Sequence, residues 1–195
     1  MIRWQTPAEL QDAYDVLPRL SPDIATRLLD PYSKPYRIPD TTQADDRLRM
    51  QDILVHITMQ QPIIQGLAAT IGEGLNTETE RAMAVLNYVQ HLGYIPDPPG
   101  EWYQSGLYTI ASRGRAGNCN DLGVVAVALL RLLGIEAWVW WIFQKGAALN
   151  HMTVRASVDG RMRWVETTIV DARLGENPYR AAERTGQQAN VGITA

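Results

Sequence analysis

The stretch Arg115-Ala116-Gly117-Asn118-Cys119-Asn120-Asp121-Leu122-Gly123-Val124-Val125 decides how the rest of the chain is read. It holds the single cysteine among 195 residues, at the point where a polar, glycine-containing loop becomes an apolar helix. Leu122, Val125, Ala126, Leu129, Leu130 and Leu133 recur at helical spacing, and Gly134 stops the run. Cys119 therefore falls in the first turn of a buried helix. Unpaired backbone N–H groups and the positive end of the helix dipole favour a thiolate there. A lone cysteine can equally serve as a small buried apolar side chain, and position alone does not separate the two.

Composition narrows the setting. A length of 195 residues fits one domain with a real core, and 46% apolar against 20% charged residues is an ordinary globular balance. A net charge of −3 provides no basic stripe, which disfavours nucleic acid as a partner. One cysteine cannot form an internal disulfide, so folding does not require an oxidising compartment. Met1 to Pro7 lacks the pattern of a signal peptide. The longest apolar run, around Ala137 to Phe143, is too short to span a bilayer. The expectation is a protein with no membrane partner, cytoplasmic or built into an intracellularly assembled particle.

Upstream of the cysteine the patterning is helical. Thr6 to Asp30 reads as two short helices, the first opening at Thr6 or Pro7 and the second at Ser21-Pro22 with a stripe of Ile24, Leu28 and Leu29. Pro31, Pro35 and Pro39 mark an extended connector, with Tyr32 and Tyr36 as packing anchors. A helix over about Thr42 to Gln60 follows, then a shorter one over Ile63 to Ile71. Thr77-Glu78-Thr79-Glu80 is a capping box, opening a helix to about His91 that partly buries Met83, Leu86, Tyr88 and Val89. Tyr94 to Gln104 reads as a loop that could wall a cleft.

Downstream, the pattern changes to strands. Ile135 to Phe143 is rich in aromatic and β-branched residues. Gln144 to Asn150 reads as a loop, and His151 to Val158 alternates. Asp159-Gly160 is a hairpin turn, and Arg161 to Thr168 returns. The tail from Asp171 reads as loop or short helix. Helices followed by an antiparallel sheet make the fold α+β. The corresponding division is an N-terminal helical extension (1–75), a core (76–170) and a C-terminal tail (171–195).

The hairpin locates two more residues. A two-residue loop pairs Val158 with Arg161, and counting back along both arms pairs Thr153 with Glu166. His151 lies two positions from Thr153 on the same face, a diagonal neighbour of Glu166 at about 5.5–8 Å between α-carbons. A carboxylate so placed can hold one imidazole nitrogen and leave the other for a thiol. A surface ion pair at a strand start would have the same spacing.

The pattern Gly117-Asn118-Cys119-Asn120-Asp121, with the helix ending Leu130-Arg131-Leu132-Leu133-Gly134-Ile135-Glu136-Ala137, resembles the nucleophile segment of the transglutaminase-like superfamily. The likeness continues through Asn150-His151, Asp159-Gly160 and Trp164-Val165-Glu166-Thr167-Thr168, and covers about residues 77 to 170. Two positions depart from the family pattern: Glu166 stands where aspartate is usual, and Thr153 where an aromatic residue is usual. The resemblance implies a papain-like α+β core and acyl transfer through sulfur. In it Cys119 is the nucleophile, His151 the proton shuttle and Glu166 the residue that orients the histidine. The oxyanion would be held by the Cys119 N–H and a second donor, for which Gln104, Tyr108 and Trp102 are candidates.

No cofactor is implied, and no acidic cluster has calcium-site spacing, which disfavours a calcium-dependent cross-linker. The expected partner is a protein or peptide substrate. The alternative is a structural or adaptor subunit of a larger assembly, for example a virus particle, docked through the N-terminal helices.

Overall fold

The computed structural model describes residues 15–39, 42, 44–111, 116–144, 151–178 and 188–192. The expected first N-terminal helix and the Gln144 to Asn150 loop lie wholly or mostly outside them. Six helices and six strands occur among the described residues. The helices are α1 (Pro22–Leu29), α2 (Ala44–Met59), α3 (Pro62–Gly72), α4 (Glu78–Gln90), α5 (Gly106–Ala111) and α6 (Cys119–Leu132). The strands are β1 (Tyr36–Ile38), β2 (Glu101–Tyr103), β3 (Ala137–Gln144), β4 (His151–Val158), β5 (Arg161–Val165) and β6 (Gln188–Gly192). β3 to β6 form an antiparallel sheet in the order β5-β4-β3-β6, and β1 and β2 pair separately. The α+β expectation holds.

α6 is the centre of the core. Every residue from Asn120 to Leu130 is buried, because α2, α4 and β4 close on different faces of it. Helices with only one apolar face lie at a surface; one that is apolar nearly all round must be enclosed. Gly123 allows the approach to the sheet, since a Cβ there would meet Met152 Sδ at 3.2 Å. Arg131, near the C-terminal end of α6, donates to Asp52 of α2 at 3.1 Å and to the Ala137 carbonyl at 2.8 Å. Buried side chains of α1 and α2 belong to the same cluster as those of α6 and the sheet.

Several boundaries move for local reasons. The strand expected from Ile135 begins at Ala137. Gly134 has φ +80°, and the Ile135 N–H closes back on the Leu130 carbonyl at 3.0 Å, so Ile135 belongs to a helix-ending Schellman turn. The hairpin takes the expected register, Val158 opposite Arg161 and Val154 opposite Val165. Asp159 and Gly160 both have positive φ, as a type I′ turn requires. The returning strand ends at Val165, because Glu166 turns inward, where its carboxylate meets His151 and accepts from the Thr168 N–H and hydroxyl.

Other expectations need correction. Part of the tail is a strand, β6, on the free edge of β3, and the expected loop from Tyr94 to Gln104 contains β2. Tyr36 is a buried anchor, whereas Tyr32 is exposed. Leu29 and Met83 also face solvent.

Candidate active site

Asn118 caps α6: its Oδ1 accepts from the Asn120 and Asp121 N–H groups at 2.8 and 3.2 Å. Its own N–H donates to Asp121 Oδ2 at 3.0 Å, completing a capping box. Cys119 is therefore the first residue of a well-formed helix and is partly exposed. The close turn needs Gly117, where a Cβ would fall 2.5 Å from Asp121 Cβ.

His151 begins β4, and its Nε2 meets Glu166 Oε2 at 3.1 Å. The Cys119 side chain lies near the same ring and raises its pKa, while Sγ itself faces Asn120 Oδ1 at 3.9 Å. With Nε2 taken by the carboxylate, Nδ1 is the nitrogen left for the thiol. The predicted cysteine, histidine and glutamate are thus brought together, joining the helix start to one end of the sheet.

Glu166 is fully buried. Its Oε1 accepts from the Thr168 N–H at 2.8 Å and hydroxyl at 2.5 Å, so both carboxylate oxygens are bonded. Gln90, at the end of α4, donates Nε2 to the carbonyls of Glu166, Ile169 and Ala172 at 2.9, 2.7 and 3.0 Å. That amide holds the segment after β5 against the helix.

The electrostatics follow from these contacts. Burial alone would lower the His151 pKa. The neighbouring Cys119 side chain and the bond to and charge of the Glu166 carboxylate outweigh it and raise the imidazole from 6.5 to about 9. Burial would raise Glu166, but the His151 bond and charge and the two Thr168 donors hold it at about 2. Around neutral pH the pair is imidazolium and carboxylate.

Asp121 differs from a simple first-turn carboxylate. Burial pushes it up to about 8, against the N–H bonds from Asn118 and Gln104, and Asp97 adds to the rise. It is mostly neutral at pH 7, so it opposes a Cys119 thiolate less than an ionised aspartate would.

The three oxyanion candidates divide clearly. The Gln104 amide is already used, donating to Thr109 Oγ1 at 2.8 Å and the Ala116 carbonyl at 3.3 Å. Tyr108 lies half-buried on α5, its backbone N–H held by Ser105 Oγ at 3.0 Å. Trp102, on β2, has a buried indole N–H with no hydrogen-bond partner. Buried donors are nearly always paired, so an orphan among them calls for a reason.

Three residues around the site escaped the sequence reading: Asn118 as cap, Gln90 as clamp and Asp97 beside Asn118. Asparagine before a helix was a visible signal for the first. Gln90 and Asp97 act across the fold and left no local pattern. Among the described residues no group of three or more His, Cys, Asp or Glu could hold a metal ion, and no helix is long and apolar enough to cross a membrane.

A family model described as "Transglutaminase-like superfamily" matches residues 65–172, more than half of the chain. No curated protein matches the sequence. Among solved structures, a proposed protease from Parabacteroides distasonis is 14% identical with a TM-score of 0.49, covering 73% of this chain and 29% of its own. A proposed cysteine protease from Cytophaga hutchinsonii is 18% identical with a TM-score of 0.48, covering 90% of this chain and 54% of its own. A TGase is 15% identical with a TM-score of 0.37, covering 74% and 38%. The chain thus spans between about a quarter and just over half of the lengths of these structures.

Proposed function

The chain belongs to the transglutaminase-like superfamily, and from that premise we propose that it is a thiol-dependent acyl-transfer enzyme acting on an amide of a protein or peptide. The observation that carries the reading is the His151–Glu166 bond of 3.1 Å inside the fold, with the Cys119 side chain near the same imidazole. A fully buried glutamate and a mostly buried histidine cost desolvation that an apolar pair would avoid. Their arrangement at a helix-start thiol gives that cost a purpose.

In the proposed reaction the Cys119 thiolate attacks the amide carbonyl carbon. His151 delivers its proton to the leaving amine as the C–N bond breaks, and a thioester remains on sulfur. Water or a second amine then takes the acyl group, with His151 as base. Glu166 keeps the imidazole oriented and charged. The Cys119 N–H and the Trp102 indole N–H hold the oxyanion. Trp102 is preferred because its donor is unspent, whereas the Gln104 amide is already bonded.

The test is iodoacetamide alkylation of Cys119 across pH. An imidazole beside the sulfur can take the thiol proton, which makes the cysteine react faster with an alkylating agent. Fast alkylation at pH 6 is expected, falling by about tenfold or more in His151→Ala. With a turned-over amide, that variant is expected to lose about 10²–10⁴-fold in rate. Alkylation no faster than that of a free thiol, and unchanged in His151→Ala, overturns the reading and leaves the adaptor alternative.

A further inference from the structure

We propose that Asp97 is a positioning residue, which holds the segment bearing the Trp102 donor and the segment bearing the Cys119 nucleophile in one frame. The inference rests on the acyl-transfer reading above and extends it to a residue outside the cysteine, histidine and glutamate set. One carboxylate oxygen carries the connection. Asp97 Oδ2 accepts from the Trp102 backbone N–H at 3.2 Å and from Asn118 Nδ2 at 2.5 Å. Trp102 belongs to β2, and Asn118 is the residue whose other amide atom caps α6. Asp97 therefore touches the backbone of the oxyanion donor on one side and the cap of the nucleophile helix on the other.

Its own position is set from the start of the same segment. Tyr94 bridges to Gly117, and the Ile95 N–H donates to the Gly117 carbonyl at 3.1 Å. Pro96 and Pro98 flank Asp97 and restrict the backbone on either side. A short, stiff segment thus delivers the carboxylate to the gap between β2 and the helix. An oxyanion site made from two separate segments works only if their spacing is held to a fraction of an ångström. The bond at 2.5 Å and the bond at 3.2 Å share one acceptor atom, so the segments cannot separate without breaking one of them.

Because Asp97 acts through Trp102 and the cap, its loss has a signature that general destabilisation lacks. The probe is p-nitrophenyl acetate, whose acetyl group passes to Cys119 sulfur while p-nitrophenolate leaves with the bonding electrons. Iodoacetamide reads the thiolate without needing an oxyanion site. Asp97→Ala is expected to slow acylation by about 10- to 100-fold while alkylation changes by less than about threefold. Asp97→Asn keeps an acceptor oxygen and is expected to recover to within about threefold of wild type. In the Trp102→Phe background, Asp97→Ala is expected to cost less than about threefold more, since the donor it positions is already gone.

Acylation as fast in Asp97→Ala as in wild type overturns the inference alone. So does an equal loss of acylation and alkylation, or a full additional loss in the Trp102→Phe background. A wild-type protein that alkylates no faster than a free thiol and never acylates removes the acyl-transfer reading itself, and this inference with it.

Discussion

Two helices of this protein open on the same device in opposite surroundings. At α4, Thr77 Oγ1 accepts from the Glu80 N–H at 3.1 Å and Glu80 Oε2 accepts from the Thr77 N–H at 2.9 Å. At α6, Asn118 and Asp121 exchange the equivalent bonds at 3.2 and 3.0 Å. The first box is on the surface; both residues of the second are buried. The hydrogen bonds from Thr77 hold the Glu80 carboxyl below its usual 4.5, whereas burial lifts Asp121 from 3.8 to about 8. One geometry gives opposite charge behaviour because water stabilises the ionised acid in one place and is excluded from the other. The surface box only starts a helix. The buried one starts a helix and sets the backbone beside Cys119.

The strongest way to break the comparison is at the residue before each cap. Gly117→Ala places a Cβ against the rigid Cβ of Asp121, and the cap has to shift. About 2 kcal/mol of stability is expected to be lost by overpacking, with about a hundredfold slower acylation because the nucleophile moves. The matched change Asn76→Ala, just before the α4 cap, is expected to stay within about 0.5 kcal/mol. Denaturant melts and p-nitrophenyl acetate kinetics on both variants check this.

A second pair of variants tests the sign of the charge effect. Asp121 is raised in the fold, so its contribution is fully present below about pH 4, the unfolded value, and is lost as pH climbs through about 8. Asp121→Asn cannot ionise. It is expected to match wild type at pH 4 and to exceed it by roughly 1–3 kcal/mol above pH 8. Glu80 is depressed, so its contribution is present above 4.5 and is lost as pH falls through the lowered value. Glu80→Gln is expected to be less stable than wild type at neutral pH and to match it in acid. Melting temperatures from pH 3 to 9 read both; parallel curves for the two variants remove the contrast.

The smallest effect sharpens the comparison from the other side. Thr77→Ala removes an exposed cap and is expected to cost about 1 kcal/mol. Because nothing catalytic depends on α4's first turn, alkylation and acylation rates are expected to stay within about twofold of wild type.

Both boxes differ in how far they could be read in advance. Thr77-x-x-Glu80 announced its helix from four letters. The start of α6 was also visible, since Gly117 and Asn118 precede an apolar run, and Asp159-Gly160 set the register that put Glu166 near His151. Burial of Asp121 was not visible, because its neighbours Asp97 and Gln104 come from distant parts of the chain. β6 was missed for a related reason: Gln188-Ala189-Asn190-Val191-Gly192 alternates over only five residues with Ala189 and Val191 as its apolar positions, too short a signal by itself, and what makes it a strand is the open edge of β3. Tyr32 and Tyr36 looked alike as anchors, and only the pairing of Tyr36 with Tyr103 across β1 and β2 separates them.

By itself the sequence determined where α6 and α4 begin, the hairpin register, and the three residues that could form a nucleophile site. These depend on hydrogen bonds and periodicities among residues near one another in the chain. Tertiary structure decided which carboxyl groups are charged, which oxyanion candidate has an unspent donor, and that Asp97 joins β2 to the cap of α6. Those properties depend on the exclusion of water and on distances between segments that meet only when the chain is folded.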